Sequence, residues 1–337
     1  MVTNGVNGTG NFSANGLPYK RTILITGATD GVGKQLAREF INNKDNFVIL
    51  HGRCERKCLG TLEELASDRY AYNGSTVSLG TGHDVKENGV RPPFPTNATY
   101  INADFSDFRQ ILKLIEKIKT SHSRINTIVC CAAILPTRRL QTRDGLEMQF
   151  QVNHLSHFAI LNGLVPLLEA NVPSRILTVG SMLHTMNAID WDDVNCLKSY
   201  DKFQQYSRTM LMNHMMTFCL HRLFFKHHME FRVTANVVDA DQKTDRKGTR
   251  TSMSYTMNDI SASDTHLCSH SSGIQTLVRL AEWEEYKHTS GKYYNAVGKE
   301  IPSLSEIRDV RLQNRMWQVS TEFTRRYGGE TQVNNMV

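Results

Sequence analysis

The stretch TILITGATDGVGKQLAREF, residues 22–40, decides which fold the chain is expected to adopt. Residues 22–26 form a short apolar run that ends at a glycine, which is typical of a buried parallel strand. Residues 34–42 then place their apolar side chains on one face of a helix. A glycine-rich turn between such a strand and helix lets the backbone approach a pyrophosphate, which the N–H groups at the start of the helix attract. We therefore predict a dinucleotide-binding turn at residues 26–33, with a tight turn that binds no ligand as the alternative.

Further strands and helices can be read from the apolar pattern of the remaining sequence. The strands are expected at residues 47–50, 100–101, 126–131, 175–179 and 231–238, and the helices at residues 108–119, 145–168 and 206–225. Strands that alternate with helices at this rhythm predict an α/β fold, a doubly wound parallel sheet of the Rossmann type in a single domain.

Four segments fall outside this pattern, and the domain itself is expected to span residues 20–327. Residues 1–19 and 328–337 are expected to be tails, the first of them disordered because it is rich in Gly, Asn, Ser and Thr. Residues 67–99 contain Gly, Asn and a Pro-Pro-Phe-Pro run, which predicts a loop insertion. Residues 245–272 are polar and follow the sixth strand, where a lid over a substrate would lie.

Composition and charge narrow the class of protein. The 337 residues carry a formal net charge of +6 without a long basic block, which argues against nucleic acid as a partner. The seven cysteines are irregularly spaced, so we expect reduced thiols and no metal site. The sequence shows neither an apolar run of membrane-spanning length nor a signal peptide. We therefore expect no membrane span and a cytoplasmic location.

Several stretches resemble one known family. The glycine turn has the spacing TGxxxGxG, and the resemblance continues in DGLEMQF at residues 144–150, VNHLSHF at residues 152–158 and SGKYY at residues 290–294. The family is that of the short-chain dehydrogenases/reductases, and the retinol-dehydrogenase-like branch is the most similar, over about residues 20–327. The resemblance implies an oxidoreductase that transfers hydride between a nicotinamide cofactor and the carbonyl or alcohol of a lipophilic small molecule.

The resemblance also implies the residues that bind the cofactor. The second strand ends at His51-Gly52-Arg53 without an acidic residue, so Arg53 can pair with a 2′-phosphate, and NADP(H) is preferred with NAD(H) as the alternative. An aspartate like Asp104 is implied to hydrogen-bond the adenine amino group. The full set of expected cofactor-binding residues is Gly27, Thr29, Asp30, Gly31, Val32, Gly33, Arg53, Asp104, Ala132 and Tyr206.

The implied catalytic set is incomplete in this chain. Tyr206 corresponds to the general acid/base, Ser181 to the residue that orients the substrate oxygen, and Asn153 to the residue that holds a proton-relaying water. The family has a lysine four residues after the tyrosine, and this chain has Met210 there. Residues four apart share a helix face, so a lysine would place its ammonium beside the phenol and favour phenolate. Met210 carries no charge, which predicts impaired proton transfer.

Two further departures leave the function open between two classes. The family's Asn-Asn after the fourth strand reads Cys130-Cys131, and its Pro-Gly after the sixth strand reads Ala240-Asp241. The first hypothesis is an NADP-dependent oxidoreductase, and the second is a catalytically silent NADPH-binding protein or scaffold. A cation that replaces the missing lysine, such as Lys198 or Lys202, would separate them. Family members commonly pair through their two long helices, so the resemblance also raises the option of a homodimer.

Overall fold

Strands and helices alternate through the part of the chain that the computed structural model describes, residues 19–74, 94–227, 232–240 and 272–328. The strands are β1 (Arg21–Ile25), β2 (Asn46–Gly52), β3 (Ala98–Asn102), β4 (Thr127–Cys130), β5 (Ser174–Gly180), β6 (Val233–Asp239) and β7 (Tyr293–Tyr294). The helices are α1 (Gly31–Asn42), α2 (Glu55–Gly74), α3 (Phe108–Ser121), α4 (Ser156–Ala170), α5 (Lys202–Lys226), α6 (Ser272–Glu282), α7 (Ser305–Arg308) and α8 (Val310–Arg325).

The seven strands form one parallel sheet in the order β3-β2-β1-β4-β5-β6-β7. The strand order reverses between β1 and β4. The chain adds β2 and β3 on one side of β1 and then adds β4 to β7 on the other side. In open α/β sheets, ligands bind beyond the carboxyl ends of the strands at this reversal. This confirms the predicted doubly wound fold.

Helices cover both faces of the sheet, as the burial of β1 shows. Leu24 belongs to the core that includes α3, α4 and α5, while Ile23 and Ile25 belong to the core that includes α1 and α6. All three side chains have no exposed surface. Side chains alternate across a strand, so a strand buried on both faces needs apolar residues at every position. The uninterrupted apolar run in β1 follows from this burial.

The two long helices begin at other residues than the sequence pattern predicts. The helix expected at residues 145–168 begins only after a turn at residues 142–145, and a six-residue π-helical segment, Phe150–Leu155, leads into α4. The helix expected at residues 206–225 begins at Lys202, because the Asp201 carboxylate accepts the first free N–H groups. Tyr206 therefore lies in the second turn of α5 and not at its start.

Some segments differ from the expected layout or cannot be compared with it. Helix α2 continues to Gly74, so the first residues of the loop expected at 67–99 are helical. Residues 75–93, most of the lid expected at 245–272 and nearly all of both expected tails lie outside the described residues. Helices α2, α6 and α8 were not predicted from the sequence. Among the described helices, none has the length and apolar character that crossing a bilayer requires.

Candidate active site

The turn between β1 and α1 has a shape that only glycine permits. Gly27 and Gly31 have positive φ angles of 68° and 48°, in the left-handed region that favours glycine. A Cβ atom on Gly27 would lie 2.8 Å from the Cα of Ala132, and a Cβ on Gly33 would overlap the Gly27 carbonyl. The turn therefore packs backbone against backbone at these two glycines, while a Cβ on Gly31 would have no neighbour within 4 Å, so the N-terminus of α1 faces open space.

The Thr26 hydroxyl joins this turn to the end of β4. Its oxygen accepts the backbone N–H groups of Cys131 at 2.8 Å and Ala132 at 3.0 Å. The bonds come from the backbone of residues 131 and 132, so they do not depend on the side chain at position 131. The Cys130-Cys131 departure therefore leaves this part of the cofactor floor intact. Burial raises the pKa of the Cys130 thiol, so that cysteine is an inert core residue.

His51 holds the turn from the side of β2. Its Nδ1 accepts the Gly27 N–H at 3.2 Å, and its Nε2 lies 3.0 Å from the Ala103 carbonyl oxygen. A carbonyl oxygen only accepts, so Nε2 carries the proton. The ring also stacks on Phe105 with 4.1 Å between centroids. Burial lowers the pKa of His51 to about 4, so the imidazole is neutral at pH 7.

His157 holds the turn from the opposite side, with the opposite tautomer. Its Nδ1 donates to the Asn153 carbonyl oxygen at 3.0 Å, so its Nε2 accepts from the Thr26 hydroxyl at 2.9 Å. Burial lowers the pKa of His157 to about 4 as well. The sequence analysis placed Thr26 in the turn but missed the supporting roles of its hydroxyl, of His51 and of His157, because each acts through a partner far away in the chain.

The expected cofactor residues at the rim of the turn are at least partly accessible. The Asp30 carboxylate accepts the Gly31 N–H at 2.8 Å and so caps α1. Thr29 and Val32 are half-buried beside it, and Arg53 is exposed between the end of β2 and the start of α2. The Asp104 carboxylate, beyond β3, accepts the backbone N–H of Ser106 at 3.0 Å and its hydroxyl at 2.8 Å.

Ser181 follows the last residue of β5. Its Oγ accepts the Leu183 N–H at 3.3 Å and caps a short 3₁₀ turn, Met182–Thr185. The buried His184 ring fixes the same turn, because its Nδ1 donates to the Ser181 carbonyl oxygen at 2.8 Å. Burial lowers the pKa of His184, which favours the neutral ring. The backbone at Ser181 is thus held from two sides.

Tyr206 and Met210 lie one turn apart on α5. Tyr206 is half-buried, whereas Met210 is buried with 2% of its surface exposed. Lys202 lies over the Phe203 ring, with 4.9 Å from its ammonium nitrogen to the centroid. Lys198 is exposed on the preceding loop. The structure therefore shows an apolar residue at the position where the family has its lysine.

Asn153 lies in the π-helical segment and is bonded on every side by protein. Its Oδ1 accepts the Ile134 N–H at 2.8 Å, and its Nδ2 donates to the Ile134 carbonyl at 3.0 Å and the Thr209 hydroxyl at 3.3 Å. Its carbonyl oxygen accepts from Asn213 Nδ2 at 2.8 Å and from His157. Asn153 thus joins the loop after β4 to α5, and its expected role in a water relay stays a prediction.

Large apolar side chains are exposed on the segment that begins at Ser181 and leads from β5 to α5. Met182 and Met186 expose 65% and 62% of their surface, and Leu197, on the loop before α5, exposes 74%. Exposed large apolar residues that gather at one place commonly mark a binding surface. Ala240 is buried at the end of β6, while Asp241 lies outside the described residues.

The chain is similar to known dehydrogenases over most of its length. A family model described as short chain dehydrogenase matches residues 78–192. Retinol dehydrogenase 14 of Homo sapiens is 27% identical over 90% of this chain and 86% of its own length. Retinol dehydrogenase 13 of Mus musculus is 29% identical over 89% and 82%. Polyprenol dehydrogenase of Homo sapiens is 24% identical over 90% and 85%.

Solved structures support the same fold. An uncharacterised protein from Mycobacterium paratuberculosis superposes with a TM-score of 0.64 at 20% identity, covering 91% of this chain and 94% of its own. A short chain dehydrogenase from Salmonella enterica superposes with a TM-score of 0.54 at 16% identity, covering 82% and 96%. From the family match, these relatives and the parallel sheet, we conclude that the chain is similar to short-chain dehydrogenases/reductases and, among them, to retinol dehydrogenases.

Proposed function

We propose that the protein is an NADP-dependent oxidoreductase that transfers hydride to or from the carbonyl or alcohol of a lipophilic small molecule. The observation that carries the proposal is the position of the glycine turn and Ser181 beyond β1 and β5, which both flank β4 at the carboxyl edge of the sheet. Tyr206 follows on α5, the helix that leads from β5 to β6. A nucleotide site and two hydroxyl groups thus share one end of the sheet.

The residues at this edge fit the dinucleotide. Gly27 and Gly33 let the turn pack closely against neighbouring backbone, while Gly31, at the start of α1, faces open space. The N–H groups at the start of α1 favour a negative charge there. Arg53 is exposed where a ribose 2′-phosphate would lie, and a guanidinium pairs with phosphate in bidentate geometry. Bound NADP(H) would supply or accept the hydride at this site.

In this proposal Tyr206 donates the proton to the substrate oxygen or accepts it from there, and Ser181 orients that oxygen. A tyrosine phenol has a reference pKa of about 10, so at pH 7 roughly one part in a thousand is phenolate. Met210 adds no positive charge that would raise this fraction. A protonated phenol can give its proton to a developing alkoxide, whereas alcohol oxidation needs the scarce phenolate as base. The site therefore favours carbonyl reduction over alcohol oxidation at neutral pH.

The exposed apolar side chains on the segment from Ser181 to α5 support a lipophilic substrate. Met182, Met186 and Leu197 present exposed apolar side chains, and burying such side chains against a ligand is favourable by about 25 cal/mol per Å². The relatives' names state retinol and polyprenol, which are apolar alcohols. The silent-protein hypothesis finds no support in these relatives, whose names are those of dehydrogenases.

Cofactor binding is the first test. We expect purified protein to quench or shift NADPH fluorescence with higher affinity than for NADH. Arg53→Ala is expected to weaken NADPH binding about tenfold, since one charge-assisted phosphate contact is worth roughly 1.5 kcal/mol, and to leave NADH binding unchanged. Arg311→Ala, an exposed arginine on α8, is the matched control. A protein that binds neither cofactor would contradict the proposal.

Turnover is the second test. Oxidation of NADPH with long-chain aldehydes and ketones should proceed faster than the reverse reaction with the matching alcohols at pH 7. Tight NADPH binding without turnover of any carbonyl in such a panel would leave a cofactor-binding protein and refute the oxidoreductase assignment.

A further inference from the structure

Helices α4 and α5 each contain a long segment that is buried on every side. All residues from Ser156 to Val165 in α4 are buried, and so are all residues from Thr209 to Leu220 in α5. A helix that packs only against a sheet keeps an exposed stripe, because its polar face points to solvent every three to four residues. These two helices have no such stripe over three turns, so something other than the sheet covers their outer sides.

Helix α3 packs along α4, and the C-terminal helix α8 of the same chain covers α5 and reaches the start of α4. The Trp317 ring meets the Phe158 ring of α4 edge to face, with 4.8 Å between centroids. The Phe323 ring meets Phe150 in the same way at 5.2 Å. Met316 and Trp317 expose 0% and 2% of their surface, so they are core residues. Large aromatic side chains of this kind contribute most of the free energy of such contacts.

Hydrogen bonds fix the position of α8 as well as its contact. His154 bonds the Ser320 hydroxyl through Nε2 at 2.7 Å and Asn213 of α5 through Nδ1 at 2.9 Å. The Arg222 guanidinium of α5 donates to the Gln313 side chain at 2.8 Å and to the Asn314 side chain at 2.7 Å. Buried polar groups that find partners only in one arrangement select that arrangement. Helix α8 is therefore specifically docked.

The β7 edge of the sheet is also closed by the chain itself. The Ile301 N–H donates to the Tyr293 carbonyl and the Asn295 N–H to the Lys299 carbonyl, both at 2.9 Å. Tyr294 forms an antiparallel bridge with Glu300. An unpaired edge strand is a ready template for pairing with a second chain. Here the following segment takes that place.

We propose that the protein is a monomer in which α8 occupies the face of α4 and α5 that a second copy would need. Pairing through these helices would require α8 to leave, which would expose Trp317, Met316 and their partners to water. The homodimer raised by the family resemblance is thus replaced by an intramolecular contact. This inference does not depend on the proposed activity.

The mass of the full-length protein in solution tests the proposal. Size-exclusion chromatography with light scattering is expected to give the chain mass of 38.3 kDa. The mass should stay constant from about 1 to about 100 μM, a range over which a weak dimer would reveal itself by its concentration dependence. A dimer at any of these concentrations overturns the proposal.

A variant of α8 tests whether this helix is the reason. Trp317→Asp places a charge in the contact with Phe158 and is expected to release α8, seen as faster amide hydrogen exchange at residues 310–325, and to produce dimers or larger species. Arg311→Asp, on the exposed side of the same helix, is expected to remain monomeric. A Trp317→Asp protein that releases α8 and stays monomeric would refute the blocking role. If that variant does not fold, Phe323→Ala gives the same readout with a milder change.

Discussion

The half of the candidate site that we propose binds the nucleotide, around β1, α1 and β2, differs from the half that we propose transfers the proton, around β5 and α5. We call them the nucleotide half and the proton-transfer half. In the first half, glycine backbone and the neutral rings of His51 and His157 fix the geometry. In the second half, Ser181 and Tyr206 are present, but the position for a cation holds Met210. Where backbone geometry forms a site, binding tolerates substitutions that keep the backbone in place. Where a site needs one charged side chain, a single substitution changes its activity.

The Cys130-Cys131 and Met210 departures show this difference directly. Residue 131 contributes its backbone N–H to the Thr26 hydroxyl, so cysteine serves as well as another side chain there. Residue 210 would contribute its side-chain charge, and methionine has none to give. The number of departures from a family pattern is therefore a poor measure of lost function, since their effects depend on which atoms the site uses.

The largest effect is expected for removal of the Tyr206 hydroxyl. Tyr206→Phe should lower kcat for carbonyl reduction by about 1,000-fold, because general acid catalysis commonly contributes roughly 100-fold to 10,000-fold. NADPH affinity should fall much less than kcat, because Tyr206 is only one of the expected cofactor-binding residues, and this difference would separate the two halves. Tyr286→Phe, on the 3₁₀ turn after α6, is the control and should retain full activity. Equal losses in both variants would contradict the assignment of Tyr206.

The nucleotide half should break when its glycine turn is filled. Gly27→Val adds a side chain where a Cβ already lies 2.8 Å from Ala132 and where φ is positive. We expect NADPH affinity to fall by about 100-fold, or about 2.7 kcal/mol, in a fluorescence titration. Gly60→Ala in α2 has no neighbour within 4 Å and should bind NADPH normally. Unchanged affinity in folded Gly27→Val would exclude the turn as the pyrophosphate site.

Restoring the cation should sharpen the comparison. Met210→Lys places an ammonium one helical turn from Tyr206, and one unit of phenol pKa corresponds to about 1.4 kcal/mol. We expect alcohol oxidation at pH 7 to rise about tenfold and its pH profile to move about one unit downward. Stability should fall, because position 210 is only 2% exposed.

The control for that variant is Met212→Lys, which is equally buried on the same helix but two residues further along. Residues two apart do not share a helix face, so the lysine should lower the melting temperature without raising the oxidation rate. A Met210→Lys protein that is no faster than the parent would contradict the view that the missing charge limits proton transfer.

The smallest effect concerns the dependence of stability on pH. Burial lowers the pKa values of His51, His154 and His157 from 6.5 to about 4. Between these values the unfolded chain binds a proton at each histidine and the folded chain does not. The free energy of unfolding therefore falls as pH drops through this window, by at most about 1.4 kcal/mol per pH unit and histidine.

His51→Gln should reduce the slope of unfolding free energy against pH by the contribution of one of these three histidines, since a glutamine amide does not titrate. Urea unfolding at several pH values between about 6.5 and about 4 measures the slope. His122→Gln, whose parent histidine is only partly exposed near the surface and whose pKa burial also lowers, provides a comparison outside the turn. A slope identical to that of the parent would show that His51 is not neutral in the folded protein.

The sequence predicted the fold well where local pattern decides it. The apolar runs of β1, β2 and β5 are buried on both faces, and the glycine turn lies where its spacing indicates. Helix α8 was missed because its apolar face is narrow and mixed with Gln, Ser and Thr, which are buried here through side-chain hydrogen bonds. That burial depends on α5 and α4, which are distant in the chain.

The sequence indicated the hydroxyl residues and the glycines of the candidate site, but not the residues that hold them in place. Ser181, Tyr206 and Asn153 stand in recognisable motifs, and the structure puts the first two after β5 and on α5 as expected. The supporting role of His51 could not be read from sequence, because its bonds reach Gly27 and Ala103 on other elements. Motifs record which residues occur together along a chain and not which atoms meet in space.

His51 and His157 carry their protons on different ring nitrogens, and this gives the protein two built-in spectroscopic markers. In a neutral imidazole the protonated and the unprotonated nitrogen resonate at well separated nitrogen-15 frequencies. The protonated nitrogen should therefore be Nε2 in His51 and Nδ1 in His157. One ring touches Gly27 and the other Thr26, on opposite sides of the same turn. A nucleotide that reshapes the turn from either side would therefore be reported by one resonance before the other.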